Sequence, residues 1–219
     1  MPDRQQLNNN RMVLMLIAGI PLIMVLAASW LWYFVARGDL DLLGALGTAN
    51  RGTLLQPPRQ IDDTPLLGQD GYPFLYRDLE PKWTMLVPSF GANCDLECGR
   101  SLYVTRQIHV AMGKGFNRLR RLYVGDARLA ETPFLRDTDA GQQAEPVRLD
   151  EMLATEHRGM YSAVAKPAAQ WSLFAEYEQD TSTWYLVDPA GWIMMSYNSG
   201  VPYKDVIADL KFLLKNSSE

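Results

Sequence analysis

From Met12 to Ala36 the chain runs for 25 residues without a charge, MVLMLIAGIPLIMVLAASWLWYFVA. An α-helix rises about 1.5 Å per residue, so the run is about 37 Å long, enough to cross a hydrocarbon core of about 30 Å with some tilt. Its far end carries Trp30, Trp32, Tyr33 and Phe34, rings of the kind that settle at a headgroup interface. Pro21 is tolerated in such a helix because neighbouring groups can re-satisfy the freed carbonyl. A cleaved signal peptide is the rival reading, with Ala27-Ala28-Ser29 as the cleavage site, but the apolar run continues past that site to Ala36. A buried core helix fits less well still, because such helices rarely run this long without a polar face. The pattern predicts a retained transmembrane helix over 12–36 behind a short tail, residues 1–11. Arg4 and Arg11 in that tail favour a cytoplasmic tail and an exported C-terminal domain.

Beyond the span the periodicity changes. Residues 37–82 are rich in Gly and Pro and read as a tether and lead-in, with Gln69-Asp70-Gly71 as a hairpin turn and short apolar pairs lying on the domain surface. Trp83 to Phe90 is a short apolar run bounded by charge and glycine, which predicts a buried strand with Pro88 at its end. GANCDLECG follows as a loop, and Arg100 to Gly113 has the apolar spacing of a helix, closed by Gly113 and Gly115. A second strand is expected over Arg118 to Val124. Residues 126–146 are polar and irregular, Val147 to Thr155 reads as a short helix, and the stretch to Gln170 has no clear period. Trp184–Val187 and Trp192–Tyr197 flank Asp188-Pro189-Ala190-Gly191, which has the Pro and Gly placement of a type I turn, so a β-hairpin is expected. Tyr203 to Lys215 places Val206, Ile207, Leu210, Leu213 and Leu214 on one helical stripe, with Pro202 at the start where proline is welcome. The order is strand, cysteine loop, helix, strand, helix, hairpin, helix. It predicts an α/β class, a central mixed sheet covered by helices in the thioredoxin arrangement over 83–216.

Charge narrows the partners. Removing Asp3, Arg4, Arg11 and Arg37 from totals of 25 acidic and 21 basic residues leaves 24 and 18, a net −6 from Asp39 onward. That balance argues against nucleic acid. Arg118, Arg120 and Arg121 form the one basic knot, and the expectation for it is a solvated face.

The two cysteines, Cys94 and Cys98, stand at the strand-to-helix junction. A helix N-terminus increases the thiolate fraction of a thiol, and paired thiolates are soft donors that select Cu(I) or Zn. Redox or copper chemistry competes with three other readings. The pair could close a structural disulfide or serve as buried small hydrophobes, against which stand Asp95, Glu97 and Gly99 around them. It could also hold zinc, although zinc wants four ligands and no second Cys/His cluster is visible.

A C-x3-C loop after a short apolar strand, behind a membrane anchor, resembles the Sco/SenC family of cytochrome c oxidase assembly proteins. The likeness extends to TWYLVDPAGWIMMSY, to the terminal amphipathic helix and to TLLQPP ahead of the domain. More narrowly, Lys82, Trp83, Cys94, Cys98, Leu102, Arg106, Gln107, Ala111, Gly113 and Lys114 resemble a pattern of Sco-like membrane proteins encoded among bacterial cytochrome oxidase assembly genes. The resemblance implies a domain in the periplasm, anchored in the bacterial inner membrane. Its partner would be a cytochrome c oxidase subunit or another assembly factor, and Cys94 and Cys98 would act in thiol–disulfide exchange or as copper ligands. Cys94 would be the exposed member.

The family's third copper ligand is a histidine placed about eight residues before the turn aspartate. Counting back from Asp188 gives Asp180, a hard donor and a poor choice for Cu(I). His109 lies about 16 Å along a regular helix from Cys98 and cannot reach it. His157 is expected to face solvent. Alternation predicts that one of Met194 and Met195 is core and the other outward. Asp126 alone remains of the family's acidic loop. No proline stands before Thr183, where ordinary thioredoxins carry one. Dithiol–disulfide chemistry toward a dedicated partner survives these departures, and so does a docking module in which Cys94–Cys98 is only a staple.

Overall fold

The computed structural model describes residues 4–36, 50–135, 146–166 and 172–217. Residues 37–49, which hold Arg37, Asp39 and the first part of the expected tether, lie outside the described residues, as do residues 136–145 and the end of the stretch to Gln170. The chain divides into two units, Met1–Ala49 and Asn50–Glu219.

Helix α1, Arg4–Ala36, makes up the first unit and begins within the stretch read as a tail. Its segment Val13–Phe34 has a mean hydropathy of 2.4 and is long and apolar enough to cross a membrane. Leu14, Ile17, Leu22 and Ile23 are exposed. At about 100° per residue these positions encircle the helix, so it has no polar face to turn toward water. Pro21 sits inside the helix without ending it.

The elements of the second unit that lie within the described residues are as follows. The strands are β1 (Thr53–Gln60), β2 (Pro65–Leu67), β3 (Pro73–Leu75), β4 (Trp83–Ser89), β5 (Leu119–Gly125), β6 (Pro133–Phe134), β7 (Val147–Arg148), β8 (Tyr161–Ala165), β9 (Trp184–Val187) and β10 (Trp192–Tyr197). The helices are α2 (Leu96–Ala111), α3 (Leu149–Glu156), α4 (Ala175–Gln179) and α5 (Tyr203–Asn216). Eight strands form one sheet in the order β1-β10-β9-β4-β5-β8-β2-β3, while β6 and β7 pair separately. β4, β5 and β8 are mutually parallel and the other pairings are antiparallel. α2 is the crossover of the β4–α2–β5 unit, as a parallel pair requires. Side chains alternate across the two faces of β4. Met85 and Val87 join a core with Leu102, Leu210 and the cysteines, and Leu86 joins the opposite core with Leu122, Phe174 and Tyr185.

The stretch 50–82 is part of this unit rather than a lead-in. β1 pairs with β10, and β2 and β3 close the far edge through the expected turn, where Gly71 takes a φ of +84°. One residue of each leucine pair expected on the surface is buried instead, Leu55 at 7% and Leu66 at 1% exposure, and so is Ile61. β1 is an edge strand, which is where Pro57 and Pro58 can sit without costing a ladder bond.

The expected solvated face at Arg118 to Arg121 is corrected too. A parallel strand is covered on both faces, so each arginine must find acceptors. Arg118 donates to the carbonyls of Leu214 and Ser217, at 2.6 and 3.0 Å, and so caps the C-terminal end of α5. Arg120 donates to the Glu80 carbonyl and the Thr84 hydroxyl. Arg121 turns to the opposite face and meets His157. The strand at 161–165 was not legible in the sequence; it is short and carries small residues.

One carboxylate ties the start of the unit to its end. Asp209 of α5 is 4% exposed. It accepts from the backbone amides of Arg51 and Gly52, at 2.9 and 3.0 Å, and from the Tyr197 hydroxyl at 3.1 Å. Gly52 is required here, because a Cβ would run into the Tyr197 ring. Replacing Asp209 by Ala leaves two amides and a hydroxyl without their acceptor, at about 1 kcal/mol or more each. We expect Asp209→Ala to lower stability by about 3 kcal/mol, read as a fall in Tm of the full chain in non-ionic detergent. A Tm within about 2 °C of wild type removes this anchor from the account.

Candidate redox site at the cysteine pair

β4 ends at Ser89, and the chain turns through Gly91, whose φ of +141° suits glycine. The Gly91 amide donates to Asp126 Oδ2 at 2.8 Å, so the aspartate left from the acidic loop holds this turn. Asp95 then takes the extended N-cap conformation of α2 and accepts from the Cys98 amide at 3.0 Å. The spacing follows from that cap. Cys94 precedes it and Cys98 is the third helical residue, so both side chains gather at the positive end of the helix dipole. They are joined in a disulfide with Cα atoms 5.3 Å apart, well within bonding geometry.

The disulfide is shielded. Cys94 and Cys98 expose 0% and 3%, so the expectation of an exposed Cys94 is corrected. The cause is the segment Pro133–Leu135. The Cys94 amide donates to the Pro133 carbonyl at 2.8 Å, and the Leu135 amide donates to the Cys94 carbonyl at 3.0 Å. Phe134 between them packs against the core that contains both cysteines. Its ring lies over the first turn of α2, where a Cβ on Gly99 would stand 3.0 Å from it. Sequence reading passed over Phe134, since it lies in a polar, aperiodic stretch. Beside it opens a groove of about 460 Å³ lined by Leu96, Gly99, Tyr103, Phe134, Leu135 and Met152.

The other sequence-nominated residues do not converge on the pair. Asp180 accepts from the Ser182 hydroxyl and amide through Oδ1 and from Asn198 Nδ2 through Oδ2. The Ser182 hydroxyl foremost, with the amide and Asn198, holds its carboxyl below the usual range. His109 stacks on Phe116 with centroids 3.9 Å apart and donates through Nε2 to the Phe116 carbonyl. His157, expected to face solvent, is 5% exposed. Its Nδ1 accepts from Arg121 at 3.1 Å, and burial, then the charges of Arg121 and Arg106, push its pKa down to about 4. Met195 is core, and a register shift between Ile193 and Met195 leaves Met194 half-buried against that same core instead of outward. Among the described residues no three His, Cys, Asp or Glu side chains come together as a metal ligand set. The cis peptide among the described residues is Gln56-Pro57 in β1, and the bond leading into Thr183 ahead of β9 is trans.

A mixed sheet covered by helices, with one cysteine pair at the junction of a central strand and its crossover helix, defines a thioredoxin-like domain. Residues 83–161 and 136–217 match the family described as transmembrane-like, thioredoxin-like, C-terminal domain, and the chain belongs to that family. Solved structures share the fold. Copper-bound yeast Sco1 superposes with a TM-score of 0.52 at 17% identity, covering 78% of this chain and 97% of its own. Yeast Sco1 gives 0.52 at 17% identity, over 79% and 99%. Copper-bound ScoI of Arabidopsis thaliana gives 0.50 at 15% identity, over 70% and 97%. No curated protein matches the chain in sequence.

Two outcomes follow from this geometry. Phe134→Ala should speed reduction of the Cys94–Cys98 disulfide by dithiothreitol about tenfold, because the cover loses its packing. An unchanged rate means that the segment does not limit access. The second outcome concerns pH. The His157 pKa is depressed in the folded chain, so the unfolded state binds the proton first as pH falls. Stability is therefore full above about 6.5 and declines toward pH 4, by on the order of 2 kcal/mol for this group. His157→Asn, which keeps an acceptor near Nδ1, should flatten the fall in Tm between pH 6.5 and 4.5. An equally steep fall in that variant assigns the pH dependence elsewhere.

Proposed function

We propose that this chain is a membrane-anchored assembly factor of the cytochrome c oxidase kind, with its domain in the periplasm and Cys94/Cys98 as a dithiol–disulfide couple. The observation that carries the reading is the Cys94–Cys98 disulfide at the N-terminus of α2, in the domain that follows an apolar helix of spanning length. In the reduced form one thiolate attacks a disulfide between a partner's copper-ligand cysteines. The partner's second sulfur leaves as a thiol, and the remaining cysteine of the pair displaces the first, closing Cys94–Cys98 and freeing a partner dithiol. Two electrons pass to the partner. A separate dithiol donor must return two to restore this chain.

Copper enters the reading through the solved yeast and plant proteins, which hold it. The residues here fit it poorly. The bonded cysteines offer no thiolate, and both carboxylate oxygens of Asp180 already accept hydrogen bonds. Reduction would supply two soft donors, and among the described residues no His, Cys, Asp or Glu joins them as a third ligand. The groove beside Phe134, with exposed Leu96, Tyr103 and Leu135, supports docking of a partner next to the pair. A second reading rests on the complete burial of Cys94: the disulfide is a staple and the domain an accessory docking module.

Replacing both cysteines by serine separates the two readings. Loss of most oxidase activity and of oxidase copper, with the variant still folded and membrane-bound, is the expected result. Wild-type activity and copper leave the docking module. Anaerobic titration of the reduced full chain with Cu(I) should show no site tighter than a free dithiol peptide, and a tighter one would restore a copper-carrying role.

A further inference from the structure

Away from the cysteine pair, α2, β5 and α3 border an open cleft of about 340 Å³ lined by Arg106, His109, Arg121, Thr155, Glu156 and Arg158, with Phe116 alongside. Its charge is unbalanced. Arg121 is 4% exposed, and its Nε is a buried donor without an acceptor. Its other nitrogens spend themselves on His157 Nδ1 and the His157 carbonyl, neither of which carries a negative charge. Among the described residues none of Arg106, Arg121 and Arg158 forms an ion pair. The like charge of Arg106 and, above all, burial lower the Arg121 pKa to about 10.

Both histidines at this site are neutral at pH 7. His157 accepts from Arg121 through Nδ1, and burial holds the pKa of His109 below its ordinary value. Three guanidinium charges therefore face one lining carboxylate, Glu156, and a surplus of two positive charges remains. A buried arginine without a counter-charge is costly. A dianion would cancel the surplus, and arginine forks suit the tetrahedral oxygens of phosphate. A carboxylate brings one charge, whereas a phosphate monoester brings about 1.5 to 2 at pH 7. The site has no part in the thiol exchange proposed above and does not depend on it.

We propose that Arg106, Arg121 and Arg158 form a binding site for a dianionic phosphate, either soluble phosphate or the monoester headgroup of an anionic lipid. The Arg106 and Arg158 guanidinium groups would donate to the phosphate oxygens, with the buried charge of Arg121 behind them and Thr155 at the rim. Arg121 is buried, so its replacement would confound folding with binding; Arg106 and the exposed Arg158 are the positions to vary.

The test is thermal unfolding of the full chain in non-ionic detergent, followed by tryptophan fluorescence with and without inorganic phosphate at matched ionic strength. Saturating phosphate should raise Tm by about 5 °C. Phosphate stabilises many proteins by exclusion from their surface, so the readout is the difference between variants. Arg106→Gln and Arg158→Gln, each melting near wild type without phosphate, should lose more than half of the rise. No rise in the wild type, or an equal rise in both variants, overturns the site. Micelles doped with phosphatidate distinguish the sources. A rise at lower phosphatidate than phosphate concentration, again lost in the variants, supports the site with lipid as its ligand, and a rise with phosphate alone supports it with the soluble anion.

Discussion

Parallel pairing of Trp83–Ser89 with Leu119–Gly125 is the constraint from which the rest of the domain follows. Two parallel neighbours cannot be joined by a tight turn, so the chain must leave the top of the first strand, cross by a helix and return. The crossover fixes where α2 begins, and Asp95 caps that beginning through the Cys98 amide. The cysteine pair is thus placed by topology before it is placed by chemistry. The same pairing buries the second strand on both faces, which is why a sequence as basic as RLRR ends with two arginines almost without exposure.

Those buried arginines show where hydrophobic patterning stops being a guide. Arg118, Arg120 and Arg121 read as surface because charge is seldom buried unpaired. Each instead finds neutral acceptors: helix-terminal carbonyls, a threonine hydroxyl, a histidine nitrogen. None of those acceptors is adjacent in sequence. By contrast, the β4–α2–β5 unit, the Asp188–Gly191 hairpin and α5 were legible, since each carries its own period and its own stop signal. β1 was not, because Pro57, Pro58 and polar neighbours erase the alternation that a strand otherwise shows. It can afford them only as an edge strand, and its place is set by long-range contacts, chiefly Asp209 reaching back to Arg51 and Gly52.

The site was legible in part for the same reason. Two cysteines at a strand–helix junction announce themselves by spacing, and His109 could be set aside as a partner by counting residues along its helix. What counting could not supply was the cover. Phe134 reaches Cys94 across a long stretch of chain through a short parallel bridge, a contact with no local signature. His157 was misread for a related reason: it follows a short polar helix, and only the arrival of Arg121 from the adjacent strand turns it inward.

The cover changes what the cysteine pair can do. An exposed disulfide reacts with any thiolate that diffuses to it, at a rate set by thiol pKa and access. Here access requires breaking two backbone hydrogen bonds around Cys94 and lifting Phe134 from the core. At about 1 kcal/mol per bond and a comparable sum for part of an aromatic ring, the opening costs about 3 kcal/mol, which slows casual exchange about a hundredfold. A docked partner can supply that energy from its own contacts, and the groove flanking Phe134 is the surface on which it would do so. If the chain works as proposed, a membrane anchor would act in the same direction, because confinement to the membrane plane would raise encounters with membrane-embedded partners. Selectivity would come from the cover and encounter rate from the anchor, so the pair itself need not be unusually reactive.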